Sequence, residues 1–273
     1  MRVQTEEWRK FVPGIRMYNG KKTFFWNGDK LWEGPDWNRR NLFHDEEERD
    51  SWQVVMVLPG VEVIPRFAFC CCKNLEKVIM ADTVKRIEMC AFDRCGSLKF
   101  VRLSRTLEFI GLNAFWYCQS LTSIFIPPSC TMIEDRAFYG CKCMLILGLP
   151  QQVELGQDVF QETDLIKRSP FRRDEDGYGV YYDSDGDDDV EAKQWIKSMN
   201  NEEAYALHRA CSSFNPIAEI IHDLVTQHGI KAMKMPNAIG ITPSQYLAAN
   251  TFDDISEKDI INRYISDMMG EVF

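Results

Sequence analysis

The sequence lacks several features that would assign a class at once. It has four histidines in 273 residues, no Asn-x-Ser/Thr glycosylation site and no long run of consecutive apolar residues. The start, MRVQTEEWRKF, has no apolar segment behind a basic one, so we expect no signal peptide and no transmembrane segment. These absences predict an intracellular protein, in the cytoplasm or nucleus, that does not bind a membrane.

Motifs of catalysis and of cofactor binding are also missing. The sequence contains no GxSxG, HExxH or GxGxxG, and GIRMYNGKK at 14–22 lacks the spacing and the Ser or Thr of a phosphate-binding loop. All four histidines lie outside the cysteine-rich part of the chain, which leaves no evident Cys/His nucleophile. We therefore predict that the protein is not an enzyme and holds no cofactor.

The charge is acidic and concentrated in one segment. The chain has a formal net charge of −9, and residues 172–191, RRDEDGYGVYYDSDGDDDVE, carry nine acidic and two basic side chains. This segment has three glycines and no leucine or isoleucine, a composition typical of a solvated linker. An acidic chain without a basic cluster predicts no nucleic-acid partner.

Neither of two candidate metal sites has the spacing that its metal requires. A calcium loop starting at Asp183 needs glycine at 188 and glutamate at 194, where the chain has Asp188 and Gln194. The second candidate is a zinc site made of His208, Cys211, His222 and His228. Zinc sites prefer ligand pairs that are close in sequence, and only one such pair, HxxC, occurs among these residues. No metal site is therefore predicted there.

The strongest signal is an internal repeat of 23 residues. Four rows starting at Ile64 share the pattern IxxxAFxxCxxLxx[VI]x[LIM], with Met144 in place of leucine in the fourth row. A half-row, WQVVMVLPG, precedes them, and a worn row, LGQDVFQET, follows one residue early. The aligned cysteines of the four rows are Cys72, Cys95, Cys118 and Cys141.

Each row predicts one coil of a solenoid. The LxxVxL segment alternates with the period of a strand, so stacked coils should form a parallel sheet. The AFxxC segment should turn across the opposite side, with Ala, Phe, Cys and Leu packed inward on their copies. The fold class is thus an α/β repeat over residues 52–171, and its ends need caps.

These rows resemble the BspA-type leucine-rich repeat, whose pattern is close to LxxIxIPxxVxxIGxxAFxxCxx. Residues 121–141, LTSIFIPPSCTMIEDRAFYGC, fit that pattern almost throughout. The resemblance covers roughly 120 residues. It implies a leucine-rich-repeat solenoid used for protein interaction and carries no catalytic residues over to this chain.

The two flanks predict different structures. Residues 1–51 contain two Asn-Gly pairs among aromatic and β-branched residues, which predicts a β-meander that caps the first coil. Residues 192–273 show helical spacing, with stops or turns at Gly229 and Gly240 and a helix start at Thr242–Pro243. ALHRA and GITPSQYLAAN look like parts of ankyrin repeats, so this region is predicted to be ankyrin-like and to dock on the solenoid end or on a partner.

A partner-binding face is predicted on the outer side of the sheet. Outward strand positions are usually polar, whereas here they form an apolar band edged by two cations, and contiguous apolar surface marks an interaction site. Cover by another part of the chain is the alternative, and the band could also form a homodimer in a structural, self-associating protein. The residues are Met56, Lys77, Ile79, Phe100, Arg102, Phe125 and Ile146.

The repeat register gives a prediction for the three consecutive cysteines in FAFCCCKNLE. Cys72 belongs to the inward ladder, while Cys70 and Cys71 occupy variable turn positions. Brief alkylation of the native protein, read by peptide mass spectrometry, should label Cys70 or Cys71 well before Cys72. Equal labelling of all three would contradict this register.

Overall fold

The computed structural model describes residues 14–18, 20–28, 50–167, 193–197, 206–212, 218–237 and 240–249. Its main body is a stack of coils whose strands form three sheets: a five-stranded and a two-stranded sheet of longer strands, and a five-stranded sheet of two-residue strands. The longer strands, numbered in chain order, are β1 Gly14–Tyr18, β2 Lys21–Trp26, β3 Val54–Val57, β5 Lys77–Met80, β7 Phe100–Arg102, β9 Ser123–Phe125 and β11 Ile146–Gly148.

The longer strands form in the segments where the alternation of apolar residues predicted a sheet, and we call the sheet that contains β3, β5 and β7 the long-strand sheet. Val55 pairs with Val78, and Val78 pairs with Val101, so partners lie 23 residues apart. These valines are buried because alternate side chains of a strand point to the same face. The half-row before the first full repeat is confirmed, since β3 pairs in parallel with β5.

A second ladder consists of strands of only two residues. Its members pair in parallel through the isoleucine that begins each row, as in Ile64 with Ile87 and Ile87 with Ile110. This ladder was not predicted from the sequence, because two residues are too short to show alternation. The strands are β4 Val63–Ile64, β6 Arg86–Ile87, β8 Phe109–Ile110, β10 Met132–Ile133 and β12 Glu154–Leu155.

The AFxxC turn adds backbone hydrogen bonds between neighbouring coils that lie outside the strand ladders. Each of the five turns contains two residues with positive φ, four positions apart, as at Phe67 and Cys71. The N–H of Cys71 donates to Asp93 O at 2.7 Å, and that of Tyr117 donates to Tyr139 O at 2.8 Å. A left-handed residue other than glycine costs about 1–2 kcal/mol, and these bonds help to offset that cost by satisfying buried backbone donors.

The phenylalanines of the repeat form a continuous stack through the core. Ring centroids of Phe69, Phe92, Phe115 and Phe138 lie 5.1 to 5.2 Å apart, with planes within 10° of parallel. Phe160 of the worn row extends the stack at 5.6 Å. Offset aromatic stacking contributes beyond the area buried, so each ring stabilises the contact between two coils.

The cysteine ladder acts through its sulfur atoms as hydrogen-bond donors. Cys95 Sγ donates to Phe69 O at 3.0 Å, and Cys118 Sγ donates to Phe92 O at 3.2 Å. Cys141 Sγ repeats this bond to Phe115 O at 3.2 Å. The thiol is thus both a small buried apolar group and the partner of a carbonyl in the preceding coil.

The N-terminal strands close the first coil. β1 and β2 form a hairpin in which Tyr18 pairs with Lys21 and Gly20 has φ 75°, at the place where the first Asn-Gly pair predicts a turn. β2 then pairs in parallel with β3, so the hairpin extends the solenoid sheet. The edge of Trp26 contacts the ring of Phe69 at 5.5 Å, which caps the phenylalanine stack. Trp32, in the N-terminal segment predicted to cap the first coil, lies outside the described residues.

The fifth coil is one residue short, as the worn row predicts. Ile133 pairs with Leu155, an interval of 22. At the cysteine position this coil has Thr163, whose hydroxyl accepts a hydrogen bond from Ile166 N–H at 3.3 Å. Thr163 therefore N-caps a short helix, α1 Asp164–Lys167, where the repeat ends.

Short helices follow the solenoid. The helical segments are α2 at 193–197, α3 Ala206–Ser212, α4 Ala218–His228, a 3-10 helix Ile230–Lys234 and α5 Pro243–Ala249. The predicted start of α5 is confirmed: Thr242 Oγ1 accepts from Gln245 N–H, and Thr242 N–H donates to Gln245 Oε1, a reciprocal capping box. Gly229, with φ 79°, ends α4.

The helices and the coils share one continuous buried cluster. Ile196, Leu207 and Tyr246 belong to the same set of contacting side chains as the phenylalanine stack. His208 is buried near Tyr246, and burial lowers the pKa of its imidazole, while hydrogen bonding to the backbone of Met235 and Ile241 acts in the opposite sense. The ankyrin-like assignment stays a prediction. The predicted acidic linker at 172–191 lies outside the described residues. So do residues 250–273 of the predicted helical region.

Replacing Phe115 by alanine should weaken the central contact between coils. The ring is fully buried and stacks on both neighbours, so we expect a loss of about 3–5 kcal/mol in the free energy of unfolding. Chemical denaturation followed by circular dichroism measures this change. Phe109→Ala is the matched control, because Phe109 is only half-buried and lies outside the stack. A similar loss for both variants would contradict a special role for the stack.

Candidate interaction surface

The outer face of the long-strand sheet contains the residues predicted to bind a partner. Strand pairing places Met56 beside Ile79, and Ile79 beside Arg102. In the neighbouring row, Lys77 lies beside Phe100. Because parallel strands keep their register, these side chains lie in rows across the sheet rather than being scattered.

The N-terminal corner of this face is closed. Met56 is only 6% exposed, and it packs with Phe25, Val54 and Leu58 in an apolar cluster separate from the main core. The expectation that Met56 is an exposed part of the band is therefore wrong. Met56 is buried because β2 extends the sheet and contributes Phe25, which packs in the same cluster.

The other end of the band also differs from expectation. Phe125 is 3% exposed and belongs to the main core cluster, so its predicted exposure is wrong as well. Ile146 begins β11 and lies in register with Ser123. A partner cannot reach Phe125 while it is buried in this way.

The central part of the face is half-exposed, and we call it the sheet patch: Lys77, Ile79, Phe100 and Arg102. The Lys77 ammonium lies 4.6 Å from the centre of the Phe100 ring, a cation–π contact. Ile79 packs against the closed corner and continues its apolar surface. The patch thus combines an aromatic ring, an aliphatic side chain and two cations.

Arg102 is held in place by the strand beside it. Its Nη1 donates to Met80 O at 2.6 Å, and its Nη2 lies 3.6 Å from Asp82 Oδ1. The side chain is 11% exposed. A guanidinium fixed by a carbonyl and a carboxylate loses little conformational freedom when a partner binds.

A second group of surface side chains lies on the turn side of the coils. Tyr139 OH donates to Glu162 Oε1 at 2.8 Å, and Tyr117 OH donates to Glu162 Oε2 at 3.3 Å. Trp116 contacts the Tyr117 ring edge-on at 4.5 Å, and the Arg94 guanidinium lies 4.8 Å from the Trp116 ring. We call these residues the turn face.

Sequence reasoning missed the turn face because it treated the two positions before the repeat cysteine as variable and incidental. The amino-acid composition of these two positions could have revealed it. In rows two to four they contain Arg94, Trp116, Tyr117 and Tyr139. Tryptophan, tyrosine and arginine are enriched where interfaces bind most strongly. What the sequence alone could not show is that Glu162, from a worn row, accepts hydrogen bonds from two tyrosines.

The three consecutive cysteines separate as the register predicts. Cys72 is 1% exposed, whereas Cys70 and Cys71 are half-buried. Burial also raises the pKa of the ladder thiols Cys118 and Cys141. Cys143 is the exposed cysteine of the chain, and the sequence analysis did not single it out.

The parallel coils, their inward ladders and their period define a leucine-rich-repeat solenoid. The model of the family described as BspA type leucine rich repeat region matches residues 62–173 in six copies. Those residues belong to the BspA-type leucine-rich repeat family, as the residue pattern indicates. The described residues contain no helix both long and apolar enough to cross a bilayer.

Three solved structures show similarity to this chain. A leucine-rich repeat protein of T. pallidum is 30% identical over 40% of this chain and 53% of its own, with a TM-score of 0.38. One from Bacteroides ovatus is 27% identical over 55% and 36% respectively (TM-score 0.41). A leucine rich cell surface protein of Faecalibacterium prausnitzii is 32% identical over 40% and 29% (TM-score 0.39).

The matched region is about half or less of each of those proteins, at 53%, 36% and 29% of their lengths. A search of curated proteins finds no match to this chain.

Replacing Gly140 by alanine should disturb the turn face. A Cβ at Gly140 would lie 3.0 Å from ring carbons of Tyr117, and Gly140 has φ 70°. We expect a loss of about 1–2 kcal/mol in stability from the backbone conformation, with a further loss from displacement of the ring.

A double-mutant cycle with Tyr117→Ala separates these two effects. The left-handed backbone is present in both backgrounds, so Gly140→Ala should cost less stability once the Tyr117 ring is absent. Urea denaturation of the four proteins gives the coupling. An equal cost in both backgrounds would show that the ring contact contributes nothing.

Proposed function

We propose that the protein is a non-enzymatic scaffold that binds another protein through the sheet patch. The observation that carries this proposal is the half-exposed Phe100 ring, covered on one side by the Lys77 ammonium and placed on a rigid parallel sheet. Solenoids offer extended binding surfaces because each repeat adds a similar strip. Aromatic and arginine side chains are the usual anchors in such surfaces.

The family match supports the same class of function. Residues 62–173 are repeats of a kind that commonly mediates contact between proteins. The fold does not specify the partner, which depends on surface side chains. In this proposal the ankyrin-like helical region serves as a second contact.

The proposed location is inside the cell. Its support is the set of six cysteines that are buried as thiols in the repeat region: Cys72, Cys90, Cys95, Cys118, Cys130 and Cys141. Reducing compartments keep such thiols in the form that donates to the carbonyls of the preceding coil.

Self-association through the same patch is the second candidate function. It is favoured by the continuity between Ile79 and the apolar cluster around Met56, because contiguous apolar surface is what homodimer interfaces bury. Sedimentation of the wild-type protein distinguishes the two. A concentration-dependent dimer that Phe100→Asp abolishes supports self-association, whereas a monomer at all concentrations removes it.

Phe100→Asp is the test of partner binding, and Phe109→Asp is its matched control. Both rings are half-buried and both lie under a cation, Lys77 at 4.6 Å for Phe100 and Arg86 at 3.9 Å for Phe109, but they belong to different sheets. A partner captured from source cells and then purified should bind Phe100→Asp at least about tenfold more weakly, the loss expected of an interface anchor.

Binding is measured by calorimetry with the three folded proteins. The control should bind as the wild type does. Full affinity of a folded Phe100→Asp protein, or equal loss in both variants, would overturn the sheet patch as the binding surface. Phe125 is unsuitable for this test because a buried aspartate at that position would destabilise the core.

A further inference from the structure

Two neighbouring thiols converge at the turn of the first coil. Cys70 Sγ and Cys71 Sγ lie 3.4 Å apart, and both residues are half-buried. Cys70 Sγ also lies 3.6 Å from Asp93 Oδ2, to which it donates. The third cysteine of the triplet points elsewhere, because Cys72 is buried in the inward ladder. The site therefore has two sulfurs and one carboxylate beside them.

The backbone fixes the pair from both sides. Cys71 has φ 60°, the left-handed conformation that recurs at this position in other coils, and its N–H donates to Asp93 O at 2.7 Å. The N–H of Cys70 donates to Phe67 O at 3.2 Å within the turn. The backbone of the two cysteines is thus held by the coil geometry, and the Cys70 sulfur is held by its hydrogen bond to Asp93.

An ordinary disulfide does not suit these two residues. Consecutive Cα atoms across a trans peptide are about 3.8 Å apart, whereas disulfides usually join Cα atoms about 4.4–6.8 Å apart. A single atom placed between the two sulfurs avoids this conflict, since it needs no direct bond between them. The geometry favours a bridging centre over oxidation.

The sulfur separation also discriminates between bridging atoms. With bonds of about 2.3 Å to each sulfur, a 3.4 Å separation gives an angle of about 95° at the bridging atom, well below the tetrahedral angle of about 109° that zinc prefers. An angle near a right angle is typical of trivalent arsenic, which is pyramidal and carries a lone pair. Within the described residues no group of three His, Cys, Asp or Glu side chains is arranged to hold a metal ion, so the site suits a centre that needs only two protein sulfurs.

We propose that Cys70 and Cys71 form a chelating site for a trivalent arsenical that carries one organic group. In the reaction, an arsine oxide condenses with both thiols: two As–S bonds form, the two S–H bonds and the As=O bond break, and the two protons leave with the oxygen as water. No electron is transferred, so no oxidant or reductant takes part. Asp93 is a positioning residue that holds the Cys70 thiol by its hydrogen bond.

The acidity of Cys70 agrees with condensation rather than disulfide exchange. The hydrogen bond with Cys71, followed by burial, raises the pKa of Cys70 well above its usual range. A protonated thiol takes part poorly in disulfide exchange, which requires a thiolate, and the balanced condensation consumes the protons of both thiols as water. Burial raises the pKa of Asp93 to about 6, so at neutral pH its carboxylate is mostly ionised and can accept the Cys70 hydrogen bond.

The test is stoichiometric binding of phenylarsine oxide to the full-length protein in excess glutathione, read by intact-protein mass spectrometry. Glutathione competes with single thiols, so the exposed Cys143 should not retain the probe. We expect one adduct, heavier by one phenylarsenic group less two hydrogens. The dithiol 2,3-dimercaptopropanol should remove it.

Serine variants identify the sulfurs. Cys70→Ser and Cys71→Ser should each lose the adduct by at least tenfold in occupancy, while Cys143→Ser and the buried Cys211→Ser keep it, with circular dichroism confirming that each variant is folded. Retention of the adduct in both folded Cys70→Ser and Cys71→Ser proteins overturns the proposal. A folded wild-type protein that binds no probe also overturns the proposal. The same holds if the wild-type protein is two hydrogens lighter than the fully reduced chain, as a disulfide would make it, and binds the probe only after reduction.

Discussion

The structure depends on one constraint: each coil must return to the same position above the previous one. The phenylalanine centroids are 5.1 to 5.2 Å apart in the four regular rows, close to the spacing of about 4.8 Å between hydrogen-bonded strands. Two strand ladders, the turn hydrogen bonds and the thiol–carbonyl bonds all need this same spacing. A coil that lost its register would break all four kinds of contact at once.

This constraint explains what could be predicted from the sequence. Residues that contact their own copies in the next coil must recur every 23 positions, so Phe92, Cys95 and Val101 were identifiable as core positions from spacing alone. The end of the repeat was also predictable, because Leu155 and Phe160 come one residue early and pair that way in the structure. The second ladder also recurs, through the isoleucine that begins each row, but strands of two residues are too short to show alternation and were missed.

Burial on the outer face could not be predicted from the repeat. Met56 and Phe125 have the same outward register as Ile79 and Phe100, yet the first two are buried and the others half-exposed. For Met56 the difference arises from a contact outside the repeat pattern, that of Phe25 from the hairpin with the cluster around Met56. A one-dimensional period describes how a coil meets the next coil, not which distant segment meets its surface. The sheet patch is therefore narrower than the band that the sequence indicated.

The short fifth coil has a consequence for assembly. An array of identical coils ends in a surface that matches its own beginning, so copies could add end to end without limit, as open heterologous contacts do. Here the cysteine position of the last coil is taken by Thr163, which caps a helix, and Ile196 lies near Phe160 beyond it. At the other end the edge of Trp26 meets Phe69 at 88° instead of stacking. The two ends are no longer complementary, and the solenoid has a defined length because its last members cannot serve as templates for another copy.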